Sequence, residues 1–112
     1  MGSPIRILQV FGGLNRGGSE TAIMTIYRNI DRSKVQFDFI VHTESIGDYE
    51  KEILSLGGKI YRFPKYTLKN HYNYVKEWRK FFKSHTQYKI IHGHYFTVSS
   101  VYFSVAKKYG VK

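Results

Sequence analysis

The sequence contains no cysteine. This excludes a disulfide framework and thiolate metal sites, and it suits a reducing compartment. No run of about eighteen apolar residues occurs, so no transmembrane helix is expected. The first residues show neither the basic start nor the apolar stretch of a signal peptide. Acids are scarce in the second half. Of Glu20, Asp31, Asp38, Glu44, Asp48, Glu50, Glu52 and Glu77, only Glu77 lies beyond residue 52, whereas twelve of the eighteen Lys and Arg residues fall between Lys59 and Lys112. The net charge of +10 is therefore concentrated in a basic second half beside a near-neutral first half. Such asymmetry points to an anionic partner: phosphate groups, a membrane surface or nucleic acid.

What is present suits one folded domain. The 112 residues are 42% hydrophobic and 17% aromatic, enough for a packed core, and 23% charged, so disorder is not the default. Ile5–Val10 reads as a strand. A loop with four glycines follows, from Phe11 to Gly18, and then Ala22, Ile23, Ile26, Tyr27 and Ile30 recur at helical spacing. Ser19 is the expected N-cap, and Glu20 suits the first turn. The unit recurs three times. Phe37–His42, Lys59–Phe63 and Lys89–His92 read as strands; Tyr49–Leu56, His71–Ser84 and Thr97–Lys108 read as helices, with Gly57-Gly58 and Gly110 as stops. Alternating strands and helices predict an α/β fold: a Rossmann-like open parallel sheet of about four strands in the order 3-2-1-4. Gly110-Val111-Lys112 reads as a helix cap running toward a fifth strand, so residues 1–112 are expected to be a fragment of a longer chain.

Ligands of such sheets bind beyond the carboxyl ends of the strands. The glycine loop, His42-Thr43, Phe63-Pro64 and His92–Phe96 should converge there. Glycines ahead of a helix let backbone N–H groups and the positive end of the helix dipole approach a phosphate. The dinucleotide fingerprint G-x-G-x-x-G is absent. Gly12 and Gly17 have P-loop spacing, but Gly18 stands where the lysine belongs.

Ile7-Leu8-Gln9-Val10 followed by Gly12-Gly13-Leu14-Asn15-Arg16-Gly17-Gly18-Ser19-Glu20-Thr21 resembles the opening of family 4 retaining glycosyltransferases of the GT-B fold. The similarity is greatest to exopolysaccharide- and capsule-synthesis members, and it extends through Phe37-Asp38-Phe39 and Ile90-Ile91-His92-Gly93-His94. The resemblance implies that the chain is the acceptor-side, N-terminal half of a truncated two-domain enzyme. It implies that Gly17, Gly18 and Ser19 meet the diphosphate of a nucleoside diphosphate sugar held by the missing C-terminal domain. It implies that Asn15, Arg16, His42 and His94 line the acceptor side of the cleft. No catalytic residue is assigned to this half, which is expected to be inactive alone. No cofactor is expected, the sugar nucleotide being a substrate. The acceptor is expected to be a glycan or a lipid-linked acceptor, and the location cytoplasmic, including the periphery of the inner face of the membrane. A family Glu-x7-Glu motif belongs to the second domain; Glu44 and Glu52 match its spacing in the wrong context.

His92 and His94 share one strand face and, with His42, could begin a metal site. No carboxylate accompanies them, and no metal is expected. On the third helix, Tyr74, Val75, Trp78, Phe81 and Phe82 share one arc, and Lys76, Arg79, Lys80 and Lys83 the opposite one. The basic arc reads either as a solvated face or as a surface for anionic lipid. A stand-alone Rossmann-type phosphate- or nucleotide-binding module is the alternative function. A nucleic-acid-binding domain is disfavoured, because no nucleic-acid motif is present and the aromatics fall on the face that needs a core.

Overall fold

The computed structural model describes residues 3–14, 17–95 and 99–112. Among them, strands β1 (Ile5–Val10), β2 (Val35–Val41), β3 (Ile60–Arg62) and β4 (Ile90–Gly93) alternate with helices α1 (Gly18–Asn29), α2 (Glu50–Ser55), α3 (His71–Ser84) and α4 (Ser99–Lys108). All strand pairs are parallel, in the order β3-β2-β1-β4. This is the Rossmann-like α/β sheet that the alternation predicts. Residues 97 and 98, the expected start of the last helix, lie outside the described residues.

Strand alternation divides the core into two. Leu8, Val10, Ile40 and Ile91 face α3 and α4, where they meet Tyr74, Trp78, Phe81, Phe82, Tyr102 and Val105. Phe37, Phe39 and Val41 face α1 and α2, where they meet Ile23, Met24, Tyr27 and Ile53. The connections thus change sides between β1 and β4, the topological switch point of the sheet. Trp78 is fully buried and stacked between Phe82 and Tyr102, with ring centroids 5.4 and 5.3 Å away. Burying side chains of this size stabilises by about 1.5–3 kcal/mol each, which fixes the apolar arc of α3 inward and leaves Lys76, Arg79, Lys80 and Lys83 exposed.

Helix α1 departs from the sequence reading at its start and along its stripe. Gly17, not Ser19, is the N-cap, and no side chain caps it. Ser19 lies inside the first turn, and its Oγ donates to Glu20 Oε1 at 2.8 Å. The buried stripe is Ile23, Met24 and Tyr27, whereas Ala22 and Ile26 are exposed. The Tyr27 hydroxyl, which donates to Gln36 Oε1 beneath the helix, anchors that rotation. Strand β2 starts earlier than its apolar run suggests, because Val35 pairs with Ile5.

A buried carboxylate ties the strands together. Arg6 Nη1 donates to both oxygens of Asp38 at 2.8 and 2.9 Å, the Lys59 amide donates at 2.8 Å, and the Tyr88 hydroxyl donates as well. Burial, then the hydrogen bond to Asp38, pushes the Tyr88 hydroxyl far above its ordinary range, so it remains a donor. Gly57 and Gly110, at φ of +93° and +73°, occupy the left-handed conformation that ends α2 and α4. After Gly110 the chain turns along β4. The Lys112 amide donates to Lys89 O and the Ile91 amide to Lys112 O, at 2.9 and 2.6 Å, and Val111 is buried. The edge of β4 is therefore paired at this point rather than bare.

Candidate functional site

The carboxyl ends of β1 and β4 meet at the switch point, and the glycine loop is fixed there by its neighbours. The Phe11 amide donates to Ile40 O, the His42 amide to Gly12 O and the Tyr49 amide to Leu14 O, at 2.8, 2.9 and 3.0 Å. Leu14 is buried, and a Cβ at Gly47 would stand 2.5 Å from its carbonyl oxygen. The β2–α2 segment thus packs against the glycine loop with no room for a side chain. This contact is tertiary and leaves no signature in sequence spacing. Gly12 lies under the Tyr95 ring, which is 4.4 Å from the ring of His42.

The glycines at the start of α1 are unlike Gly47. Gly17 has φ −80° and ψ 172°, extended backbone open to any residue. A Cβ at Gly18 meets nothing within 4 Å, and the backbone there is not left-handed. The fold itself therefore does not demand glycine at position 18. The first-turn N–H groups of a helix lack intrahelical acceptors. The carboxylate of Glu20 folds back over this helix start, so that a Cβ at Gly17 would come 2.5 Å from Glu20 Oε2. An acid here is favoured by the helix dipole, and its flexible end can swing away.

His94 closes the other side. Its Nε2 donates to Gln9 Oε1 at 2.9 Å, and its ring stacks on Phe11 at 4.3 Å. Burial, then the neighbouring His92, pushes its pKa down to about 4, against an opposing pull from Glu20. His94 is accordingly neutral at physiological pH, with Nδ1 left as an acceptor. His42, expected in the cleft, lines the groove at the ends of β2 and β3 while being only 3% exposed. Its Nδ1 donates to Phe11 O at 2.9 Å, and its Nε2 accepts from the Tyr74 hydroxyl at 2.7 Å. Burial lowers its pKa, and the neutral ring braces the floor of the edge. Asn15 and Arg16 lie outside the described residues.

A groove of about 580 Å³ opens beside this site at the ends of β2 and β3, lined by Thr43, Ser45, Arg62 and Lys65 among others. Arg62 was not singled out by the sequence reading. Its Nη1 donates to Thr43 O and Ser45 O at 2.6 and 3.2 Å, and its Nη2 pairs with Glu50. Glu52 is engaged with Arg28 at 2.5 and 2.7 Å on the outer surface, and Glu44 is exposed in the loop after β2. Among the described residues, no group of three or more His, Cys, Asp or Glu could hold a metal ion, and no helix is long and apolar enough to cross a membrane. The basic residues Lys76, Arg79, Lys80 and Lys83 lie along α3, away from the switch point.

Over 89 residues the chain is 40% identical to a protein of Bacillus subtilis (strain 168) described as "Putative glycosyltransferase EpsF". The aligned segment is 80% of this chain and 23% of that protein, so the chain spans about a quarter of the relative it matches. No family model matches the chain, and no solved structure matches it.

Proposed function

We propose that this chain is the acceptor-side domain of a glycosyltransferase with the GT-B arrangement of the retaining family 4 enzymes. In this reading a second domain, across the cleft from the carboxyl edge, holds a nucleoside diphosphate sugar. The hydroxyl oxygen of a glycan or lipid-linked acceptor forms the new bond to the anomeric carbon with retention. The nucleoside diphosphate leaves with the electrons of the broken bond, and the hydroxyl proton is released. No cofactor takes part.

The observation that carries the reading is the start of α1 at the switch point. Gly18 faces open space with an unstrained backbone, in a chain 40% identical to a protein described as a glycosyltransferase. Glycine that the fold does not need is accounted for by a ligand that comes against the backbone. The amides of Gly18 and Ser19 meet the donor diphosphate, and Gly17 leaves room for the Glu20 carboxylate to move aside. Asn15, Arg16 and His94 belong to the acceptor side, where neutral His94 offers Nδ1 to a sugar hydroxyl. His42 acts from beneath by holding Phe11 and Tyr74.

The test is Gly18→Val in the two-domain enzyme. The reading expects an unchanged melting temperature and a fall in kcat/KM for the sugar nucleotide of roughly 100-fold, the size of loss when backbone donors to a charged group are blocked. A folded variant as active as the parent would remove the diphosphate from this loop. Residues 1–112 alone are expected to turn over no sugar nucleotide, because donor and acceptor are not held together.

A further inference from the structure

The two edges of the sheet end differently. At β4 the chain itself pairs with the edge through Lys112. At β3, the last strand on the other side, the edge is bare. Lys59 O accepts from the Phe39 amide at 2.8 Å, and the Phe63 amide donates to Val41 O at 2.9 Å, so residues 59, 61 and 63 face β2. The N–H and C=O groups of Ile60 and Arg62 alternate with these and point away from the sheet. Among the described residues, no backbone group of another element pairs with them.

Strand edges are commonly blunted by charge, proline or a covering segment. The one charged side chain on β3, Arg62, is instead turned aside. It donates to Thr43 O and Ser45 O at 2.6 and 3.2 Å and pairs with Glu50. Beside the edge, between β3 and α3, lies a cavity of about 380 Å³ whose walls include Tyr61, Phe81, Glu77, Lys80 and His85. Glu77 is the only acid in the sequence beyond residue 52. Glu77 and Lys80 are both exposed. Neither makes an ion pair among the described residues, although they stand three apart on one helix.

A second copy of the chain answers both features at once. A two-fold axis perpendicular to the sheet at Tyr61 sets two β3 strands antiparallel, with Ile60 opposite Arg62 on either side. Each opposed pair then exchanges two N–H···O bonds. The same axis keeps both α3 helices on one face of the joined sheet, antiparallel to each other. Tyr61 rests on Phe81, with ring centroids 4.9 Å apart, so the axis passes beside the middle of residues 77–85. Glu77 of one protomer therefore approaches residues 80–85 of the other, a stretch without acid. A two-fold contact sets residue i against j and j against i. An acid at one end of the groove and bases at the other make it self-complementary, whereas the rest of the basic half would repel its own copy.

We infer that β3 is a dimerisation edge, at which the chain joins a second copy of itself through the backbone of Ile60 and Arg62 and through Glu77 against the partner's Lys80. The inference does not rest on the transferase reading and can fail or stand without it. The antiparallel contact points the two carboxyl edges in opposite directions, so each protomer keeps its candidate site open.

The experiment is sedimentation velocity of residues 1–112 from about 1 µM to about 1 mM, the range of weak association, with amide hydrogen exchange measured at both ends of the range. A monomer–dimer equilibrium is expected, with the Ile60 and Arg62 amides open to exchange in the monomer and protected in the dimer. Glu77→Lys sets like charges against each other and should weaken the dimer at least about tenfold. Glu77→Lys combined with Lys80→Glu restores opposite signs and should return the dissociation constant to within about threefold of the parent. Both side chains are exposed, so circular dichroism should show unchanged folding. Four results would each overturn the inference: a monomer throughout the range, a dimer whose Ile60 and Arg62 amides stay unprotected, a Glu77→Lys variant that dimerises like the parent, or a double variant no tighter than Glu77→Lys.

Discussion

At the β1–β4 end of the carboxyl edge the described residues are backbone with neutral or acidic side chains: Gly12, Gly17, Gly18, Glu20 and His94. At the β2–β3 end it is Ile46 between Glu44 and Asp48, and Leu68 and Tyr72 among Lys65, Lys69 and Lys76. At the first end a Cβ at Gly18 would meet nothing within 4 Å. The second projects apolar and charged side chains. One sheet edge therefore carries two surfaces of different character. Glycine shows a contrast within the first end itself. Gly47 is required by the protein, because the Leu14 backbone fills its side-chain space, whereas Gly18 faces nothing.

Exchanging the two glycines for alanine should separate these roles most sharply. Gly47→Ala drives a Cβ into a carbonyl oxygen and should destabilise by about 1–3 kcal/mol or more. Gly18→Ala should stay within about 0.5 kcal/mol of the parent or stabilise α1 slightly. Urea denaturation of both variants decides this. Equal losses would mean that Gly18 also serves the fold.

The first end should next reveal itself through pH. The folded pKa of His94, about 4, lies below its ordinary value of 6.5. As pH falls, the unfolded chain takes up the proton first. The stability associated with neutral His94 is therefore complete above about pH 6.5 and declines as pH falls toward 4. Allowing for the partial exposure of the ring, the loss is about 1–2 kcal/mol. His42 shifts in the same direction, so His94→Gln should reduce the loss without abolishing it. An NMR titration that places His94 near 6.5 would contradict the burial argument.

The smallest effect concerns Glu20. Glu20→Gln removes a carboxylate from a helix start and should cost about 0.3–1 kcal/mol of stability. The same change should strengthen binding of inorganic phosphate at α1, since an anion no longer opposes it. Unchanged phosphate binding would mean that the Glu20 carboxylate stands clear of the anion's path.

Much of the frame was legible in the sequence, because it rests on local pattern. His71–Ser84 matches α3 at both ends, since aromatic and basic residues alternate there with strong helical periodicity. Gly57 and Gly110 mark helix ends through backbone conformations that glycine adopts readily. The strand order followed from the repeated strand–helix unit. What was not legible depends on tertiary contact. Ser19 looked like a cap, but Glu20 covers the helix start. Ile26 looked like core, but the Tyr27–Gln36 bond turns it outward. The partners of His42 were not legible either: Phe11 and Tyr74 occupy both its nitrogens. Asp38 was one acid among eight until Arg6, Lys59 and Tyr88 converged on it. The exposure of Leu68 was hidden because an apolar residue in a loop reads equally as core or surface.

The central claim is that the start of α1 receives a diphosphate. Titrating ¹⁵N-labelled residues 1–112 with uridine diphosphate tests it amide by amide. The account predicts saturable shifts at Gly18, Ser19 and Glu20, little change from Leu68 to Tyr72, and loss of those shifts in Gly18→Val. Shifts concentrated at Arg62 and Lys65, or none at the start of α1, would contradict it.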